Sequence, residues 1–358
     1  MRRTGPERIA ELEKMESVRS LEAAAEQGDA AAQYELAKAL LECPEEDENL
    51  AEAARWMLCA ARQDVVDAQL VVGEMYEDGF GLQQSDTDAA AWYKRAADQG
   101  CTPAAIHLAW LYFDGLGVER SRKTALGILR KAAKQGDPAA QFNLGLALES
   151  LQTGYIGPNG PQALKWYRQA AEQGYAPAQT AMGTAYVDGY GVHSDLAEAL
   201  KWFRQAAQQG EAGAQCNLGI MHEEGIGVRR NVAAAAEWYR KAAEQDDPEA
   251  QYCLALLYAE GNGLLKNRKK AAWWMRRAAE QEYGPAQTQL GFMLKTGTGV
   301  PKNLKKAASW FRRAASNGET EAMYQLSLMY EHGGGVRMDA KQAAKWLRRA
   351  QAQPDYWE

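Results

Sequence analysis

The sequence predicts an all-α fold, an α/α superhelical solenoid of nine helix-pair repeats with an N-terminal capping helix. Three observations predict it: an Ala-rich composition with few β-branched residues, a pattern that recurs at a nearly fixed interval, and a polar residue at the same place in every repeat. Ala favours helices, whereas β-branched residues favour strands. The recurring pattern then divides the helical chain into units of equal length.

The pattern reads Ala-Gln-x-x-Leu-Gly-x-x-Tyr, then Gly-x-Gly, then Trp-Tyr, then Ala-Ala-x-Gln-Gly, and we use its first alanine as an anchor. Successive anchors lie 36 residues apart, except for an interval of 38 residues between Ala140 and Ala178. A fixed period of this length is typical of solenoids built from helix pairs. The anchors are Ala32, Ala68, Ala104, Ala140, Ala178, Ala214, Ala250, Ala286 and Ala322.

The first helix of each repeat is predicted to run for about eleven residues from the anchor, because the anchor, anchor+4 and anchor+8 share one helical face. A glycine such as Gly225 or Gly261 then ends the helix, since glycine readily adopts the left-handed conformation of a helix C-terminus. A second glycine two residues later is expected to allow a tight turn.

The second helix is predicted to begin after a polar residue, seven positions before a tryptophan. All nine of these polar residues are types that cap helix N-termini, namely Asn49, Ser85, Ser121, Asn159, Asp195, Asn231, Asn267, Asn303 and Asp339. The tryptophan is present in every repeat except the third, which has Ile128. Because Ala-Ala follows and lets helices approach closely, we expect tryptophans such as Trp238 to be buried between helices.

Two regions make up the predicted domain organisation. Residues 1–29 form an N-terminal capping helix, because residues 7–28 carry only the second half of a repeat, and residues 30–358 hold the nine repeats. The final segment, QAQPDYWE, replaces the usual repeat ending and is expected to form a C-terminal cap. More polar ends keep a solenoid soluble.

These repeats resemble the Sel-one-like repeat (SLR) family, a relative of the tetratricopeptide repeats. Residues 178–210 and 214–245 match its consensus nearly in full, and the resemblance covers about residues 20–350. The resemblance implies an adaptor that holds other proteins, as members do in protein quality control, bacterial signalling, virulence and toxin neutralisation. Some secreted members carry a regular cysteine pair in each repeat, which this chain lacks.

Charge and composition argue against several classes of protein. The formal net charge is −6, whereas a nucleic-acid partner calls for a basic surface. No apolar run approaches the length that spans a bilayer, and the N-terminus has no apolar signal-peptide region. The five cysteines are odd in number and unpatterned, so we expect free thiols and a cytoplasmic protein.

No catalytic residue, metal site or cofactor is predicted. The four histidines, His107, His193, His222 and His332, have no metal-binding spacing, and His222 stands at a tyrosine position, where it is expected to pack. The Gly-x-Gly pairs follow helices rather than strands, so a phosphate-binding role is not indicated.

The face opposite the predicted core carries anchor+2 and anchor+6, and by resemblance to tetratricopeptide solenoids it lines the concave groove. Apolar residues dominate there, where an amphipathic helix would be polar. Two interpretations remain open: packing on neighbouring helices, or a groove for an apolar or helical segment of another protein. The candidate binding residues are Tyr34, Ile106, Trp110, Phe142, Leu146, Tyr252, Leu256, Phe292 and Tyr324.

Acidic residues, including Glu223 and Glu224, precede the glycine that ends the first helix in most repeats. Negative charge there opposes the helix dipole, so helix stability does not explain it. One interpretation is pairing with cations of adjacent second helices, such as Arg240 or Arg276. The other is an acidic rim beside the groove.

The leading functional hypothesis is a non-enzymatic adaptor that binds another protein through its concave face. That protein would offer apolar and basic residues on a helical or extended segment; neither nucleic acid nor membrane insertion is expected. An alternative is an immunity protein or inhibitor that blocks a toxin enzyme. A hydrolase, an activity suggested within the family, is less favoured because no catalytic constellation is present.

Overall fold

The computed structural model describes residues 19–42, 47–150 and 160–353. These residues form helices and no strand, which confirms the predicted all-α class. The chain divides into two compact units, residues 1–173 and residues 174–358. Within each unit, every helix packs against the next helix along the chain, as expected for a solenoid.

The first unit holds nine helices among its described residues. They are α1 (residues 19–26), α2 (Ala30–Leu41), α3 (Asp47–Arg62), α4 (Val66–Asp78), α5 (Asp86–Asp98), α6 (Thr102–Asp114), α7 (Arg122–Lys134), α8 (Pro138–Glu149) and α9 (Gly160–Glu172). The even-numbered helices are the first helices of the repeats, and α3, α5, α7 and α9 are the second helices.

The second unit holds ten helices among its described residues. They are α10 (Ala176–Asp188), α11 (Leu196–Gln208), α12 (Ala212–Glu224), α13 (Val232–Glu244), α14 (Pro248–Glu260), α15 (Arg268–Glu280), α16 (Gly284–Thr296), α17 (Leu304–Ser316), α18 (Thr320–His332) and α19 (Ala340–Gln351). Even numbers again mark first helices.

The N-caps of the second helices follow the sequence prediction in seven repeats. In each, the side chain of the polar residue accepts a hydrogen bond from a first-turn N–H, as Asn231 does from Ala234 at 3.1 Å. These caps are Ser85, Ser121, Asp195, Asn231, Asn267, Asn303 and Asp339. The prediction was wrong for Asn49, because α3 already begins at Asp47. Asn159 lies outside the described residues.

The loop between the two helices of a repeat depends on its two glycines. Gly225 ends α12 in the left-handed region, with φ of 77°, as predicted. The backbone N–H of Asn231 then donates to the carbonyl of His222 at 2.8 Å, which pins the start of α13 to the end of α12. The second glycine serves more than the turn: a Cβ on Gly299 would overlap the carbonyl oxygen of Arg268 in the preceding repeat.

The core of most repeats differs from the prediction in one respect. In seven of the eight repeats that have a tryptophan, the residue after it is buried and the tryptophan is half-buried: Tyr239 is 1% exposed, whereas Trp238 is half-buried. The ninth repeat follows the prediction, because Trp346 is buried and Leu347 is half-buried. The ring of Tyr239 lies against Gly219 at anchor+5, where an added Cβ would come within 2.5 Å of it. The core face therefore extends to anchor+1 and anchor+5.

The glycine at anchor+5 and the residue after the tryptophan vary together along the chain. Where anchor+5 is glycine, its partner is a bulky ring, in the pairs Gly73–Tyr93, Gly145–Tyr167, Gly183–Phe203, Gly219–Tyr239 and Gly291–Phe311. Where anchor+5 is larger, the corresponding residue is Met or Leu, in the pairs Ala37–Met57, Ala109–Leu129, Ala255–Met275 and Ser327–Leu347. The two positions thus share one fixed volume, as close packing requires.

Buried glutamines at anchor+1 connect neighbouring repeats. The amide of Gln215 donates to the carbonyl of Ala207 at 3.3 Å, and its oxygen accepts from Gln245 at 2.9 Å. The amide pairs of Gln69 with Gln99 and of Gln251 with Gln281 have the same geometry. Because a buried amide must be hydrogen-bonded, these contacts fix the register between successive helices.

At the N-terminal end, α1 packs on the first repeat through a small cluster that includes Ala25, Ala32 and Leu36. Most of the predicted capping region, residues 1–18, lies outside the described residues, as does the C-terminal segment 354–358. Four cysteines, Cys59, Cys101, Cys216 and Cys253, have free thiols, and Cys43 lies outside the described residues.

Candidate protein-binding surface

The side chains at anchor+2 and anchor+6 of the first helices form what we call the first-helix surface, which we describe in each unit separately. All nine apolar and aromatic residues predicted to bind a partner are half-buried: Tyr34, Ile106, Trp110, Phe142 and Leu146 in the first unit, and Tyr252, Leu256, Phe292 and Tyr324 in the second. Two others at these positions, Cys216 and Thr288, are buried. Most side chains of this surface are therefore neither fully exposed to solvent nor fully buried in the core.

In the first unit, the aromatic side chains of this surface are held by contacts within the solenoid. The indole N–H of Trp110 donates to the Asn143 side-chain oxygen in the next repeat at 2.8 Å, and its ring meets Phe113 edge-on at 5.2 Å. The ring of Phe142 lies 5.5 Å from that of Tyr167. Both side chains are packed on one side and partly exposed on the other, so packing accounts for part of their area.

In the second unit, the same positions pack against the main core cluster from its edge. The ring of Tyr252 lies 5.5 Å from Tyr283, and the ring of Phe292 meets Phe311 edge-on at 5.2 Å. Leu256 and Tyr324 contact the same cluster. These contacts preorganise the exposed halves, because a side chain fixed by packing loses little freedom when a partner covers it.

Beside this surface, the last residue of five first helices is an exposed carboxylate, and we call this set the acidic row. Among the described residues, none of the five forms an ion pair. Their carboxylates are therefore free to meet an external cation. The row consists of Asp78 and Asp114 in the first unit and of Asp188, Glu224 and Glu260 in the second.

Glu223, the neighbour of Glu224, has a different role from the acidic row. Its carboxylate accepts a hydrogen bond from the hydroxyl of Tyr239 at 2.7 Å. Burial raises the pKa of Tyr239, so the phenol stays protonated and keeps donating. Glu77 and Glu149 accept in the same way from Tyr93 and Tyr167. The Glu223 carboxylate is thus engaged inside the protein, and only Glu224 of this pair is free.

The predicted pairing of helix-end acids with nearby arginines is not found for Arg240 or Arg276. Arg240 pairs instead with Glu237 on its own helix at 2.9 Å. Arg276 forms no ion pair within the part of the chain that the structure describes. Other second-helix arginines pair with acids in the inter-repeat turns, as Arg277 does with Asp246 and Arg313 does with Glu282. Internal pairing therefore does not account for the acidic row.

Candidate chemistry elsewhere is sparse. His222 is half-buried at its tyrosine position, and burial lowers its pKa, which keeps the ring neutral and fits the predicted packing role. His107 stacks on Tyr93 at 4.9 Å and lies 3.2 Å from Glu77. Across residues 19–42, 47–150 and 160–353, no group of His, Cys, Asp or Glu is arranged to hold a metal ion.

None of the described helices combines the length and the apolar composition that crossing a bilayer requires.

Tandem repeats that each consist of two packed helices define a class of repeat protein, the tetratricopeptide-like solenoids. Within that class, the sequence profile of the Sel1 repeat matches nine times in succession, at residues 30–65, 66–101, 102–137, 138–175, 176–211, 212–247, 248–283, 284–319 and 320–354. The chain therefore belongs to the Sel1 repeat family, whose repeats mediate protein–protein interaction.

Solved structures agree with this assignment. A Sel1 repeat protein from Oxalobacter formigenes is 33% identical, with a TM-score of 0.58 over 87% of this chain and 89% of that one. The protective antigen c5321 of uropathogenic Escherichia coli, which displays an SLR fold, is also 33% identical, with a TM-score of 0.51 over 93% of this chain and 79% of that one.

A third solved structure is less similar. The immunity protein Pa5087 of Pseudomonas aeruginosa is 22% identical, with a TM-score of 0.44 over 60% of this chain and 81% of that one. A comparison with curated proteins found no match.

Proposed function

We propose that this chain is a non-enzymatic scaffold that binds a segment of another protein along its first-helix surface. The observation that carries the proposal is the combination of half-exposed apolar side chains with an unpaired acidic row in the same helices. Such a surface fits a helical or extended segment with apolar side chains flanked by Lys or Arg. The proposed compartment is the cytoplasm, because the described cysteines keep free thiols.

The two parts of the surface would contribute differently to binding. Aromatic and aliphatic side chains that are already fixed by packing supply affinity, because they bury apolar area at little cost in side-chain entropy. The acidic row acts at longer range, so it mainly accelerates encounter and selects basic partners. Glu223 takes no part in this, because its carboxylate binds Tyr239.

The apolar part is tested with Trp110→Ala and Phe142→Ala against a partner obtained by affinity capture. Each change should weaken binding by about 2 kcal/mol, or roughly 30-fold, if these side chains are hot spots. Trp273→Ala is the matched control, because Trp273 lies on a second helix and is already 52% exposed. Calorimetric titration measures the affinities, and a melting curve checks the fold of each variant.

The charged part belongs to the same experiment. Glu224→Lys should slow association, and the effect should fade as salt rises, because exposed charges are screened. Glu244→Lys, an equal charge change at the exposed end of α13, should leave association unchanged. Unchanged affinity in Trp110→Ala and Phe142→Ala, together with lower melting temperatures, would show that these side chains only pack. Abolition of a single enzyme's activity at very tight affinity would instead identify an inhibitor.

A further inference from the structure

The third repeat contains a cavity of about 300 Å³ that the repeat pattern does not predict. It lies between the end of α5, the start of α6 and one side of α7, and its lining includes Ala97, Cys101, Ala105, Ile128, Lys131 and Gln135. Two of these residues break the pattern. Ala105 stands where seven repeats have glutamine at anchor+1, and Ile128 stands where the other eight repeats have tryptophan.

The missing indole explains part of the space. One repeat earlier, Trp92 packs against a cluster that includes Ala61 and Ala68, with Val65 beside it. Ala97 and Cys101 are the residues equivalent to Ala61 and Val65, and Ile128 packs at their cluster in place of the indole. Because isoleucine is much smaller than tryptophan, the volume that an indole ring fills in the neighbouring repeat is left open here.

The missing glutamine leaves a hydrogen-bonding group without its partner. In the sixth repeat, the amide of Gln245 donates to the side-chain oxygen of Gln215 at 2.9 Å. The equivalent pair in the third repeat is Gln135 and Ala105, and alanine has no acceptor to offer. The Gln135 side chain therefore makes no hydrogen bond within residues 19–42, 47–150 and 160–353, and it lies at the wall of the cavity.

The cavity is also lined by a lysine that has no tryptophan ring to lie over. In five other repeats, the Lys or Arg three residues after the tryptophan lies over that tryptophan's ring, for example Lys241 at 4.3 Å from the Trp238 centroid. The others are Arg95, Arg277, Arg313 and Arg349. Lys131 occupies this position in the third repeat, where Ile128 offers no ring, and it too lines the cavity.

We propose that this cavity binds an aromatic ring of indole size, either the side chain of a protein partner or a small aromatic molecule. Ala97, Cys101 and Ile128 supply the apolar wall, Lys131 the cation over the ring, and Gln135 the hydrogen bond to a polar atom on its edge. The volume lies at the lower end of the range for ligand pockets, so it holds one ring system. This site is separate from the first-helix surface, and its occupancy does not depend on the function proposed above.

Fluorine NMR of the full chain, titrated against fluoroindole and against N-acetyl-fluorotryptophanamide, tests the site. Saturable binding is expected with a Kd of roughly 0.1–1 mM, the range for a ligand of about ten non-hydrogen atoms. The filled variant Ala105→Gln with Ile128→Trp restores the pattern of the other repeats and should weaken binding more than tenfold. Binding of both probes indicates that a ring attached to a chain enters, whereas binding of fluoroindole alone indicates a small-molecule site.

Variants at the cation keep the test decisive even if the filled variant folds poorly. Lys131→Met retains the apolar stem but removes the charge, and it should weaken binding about threefold, whereas Lys131→Arg should retain it. N-acetyl-leucinamide should fail to displace the fluorinated probes. Absence of saturable binding, or equal affinity in the wild-type chain and the folded filled variant, would overturn the proposal.

Discussion

Replacing Tyr239 with alanine should lower the local free energy of unfolding by about 3–5 kcal/mol, the usual cost of truncating a buried aromatic side chain. The ring is 1% exposed, it fills the space over Gly219, and its hydroxyl donates to Glu223 at 2.7 Å. Because a repeat contacts only its neighbours, the loss of protection should be concentrated in α10 to α15, which are the sixth repeat and its two neighbours. Hydrogen exchange followed helix by helix measures this distribution.

The matched comparison is Trp238→Ala, one residue earlier on the same helix. Its ring is half-buried with Lys241 over one face, so we expect a smaller cost of about 2 kcal/mol. A larger effect for Trp238→Ala than for Tyr239→Ala would contradict the core described above. Equal loss of protection from α10 to α19 in either variant would contradict the claim that each repeat is stabilised mainly by the repeats next to it.

Adding a single methyl group at Gly219 should also be costly, although alanine is the better helix former. The new Cβ would lie within 2.5 Å of the Tyr239 ring, which is buried and cannot move away. Overpacking of this kind costs about 1–3 kcal/mol, and the gain in helix propensity offsets at most about 1 kcal/mol of it. We expect Gly219→Ala to destabilise the region by about 2 kcal/mol, measured by denaturant unfolding.

Two further variants show whether the cost arises from this contact. Combining Gly219→Ala with Tyr239→Leu recreates the Ala109–Leu129 pair of the third repeat. The double variant should therefore lose at least about 1 kcal/mol less stability than the sum of the losses in the two single variants. Gly127→Ala is the control, because Gly127 lies inside α7 and nothing is within 4 Å of a Cβ there. That change should stabilise the protein slightly. Additive losses in the double variant would refute the shared-volume explanation.

The fold could be predicted from the sequence because each structural position of the repeat occurs nine times along the chain. The register, the terminal glycines and the capping residues such as Asn231 all followed from this repetition. Asn49 was misplaced because the first repeat lacks the usual loop, so a spacing transferred from other repeats did not apply. The size and recurrence of the tryptophan predict a core position for it, which only Trp346 occupies among the tryptophans at this position. Burial is decided by direction on the helix, and Tyr239 rather than Trp238 faces Gly219.

The candidate site could be predicted only in part. Helical periodicity predicts which face of a first helix carries anchor+2 and anchor+6. It describes a single helix, so it gives no information on contacts from the next repeat, such as the hydrogen bond from Trp110 to Asn143. The same limit applies to Glu223, whose partner Tyr239 lies sixteen positions further along the chain. The cavity at Ile128 had a visible signal, since Ile128 alone breaks the tryptophan series. The sequence alone does not show that Ala105, Lys131 and Gln135 lie around the same cavity as Ile128.

Position-specific photocrosslinking tests most directly whether the first-helix surface binds a partner protein. A benzophenone amino acid at Thr184, an exposed residue of that surface, should crosslink to the partner, and the same group at Ala233, exposed on α13, should not. High salt should reduce the yield at Thr184, because the neighbouring acidic row accelerates encounter. Equal crosslinking from both positions, or crosslinking from Ala233 alone, would contradict binding along the first-helix surface.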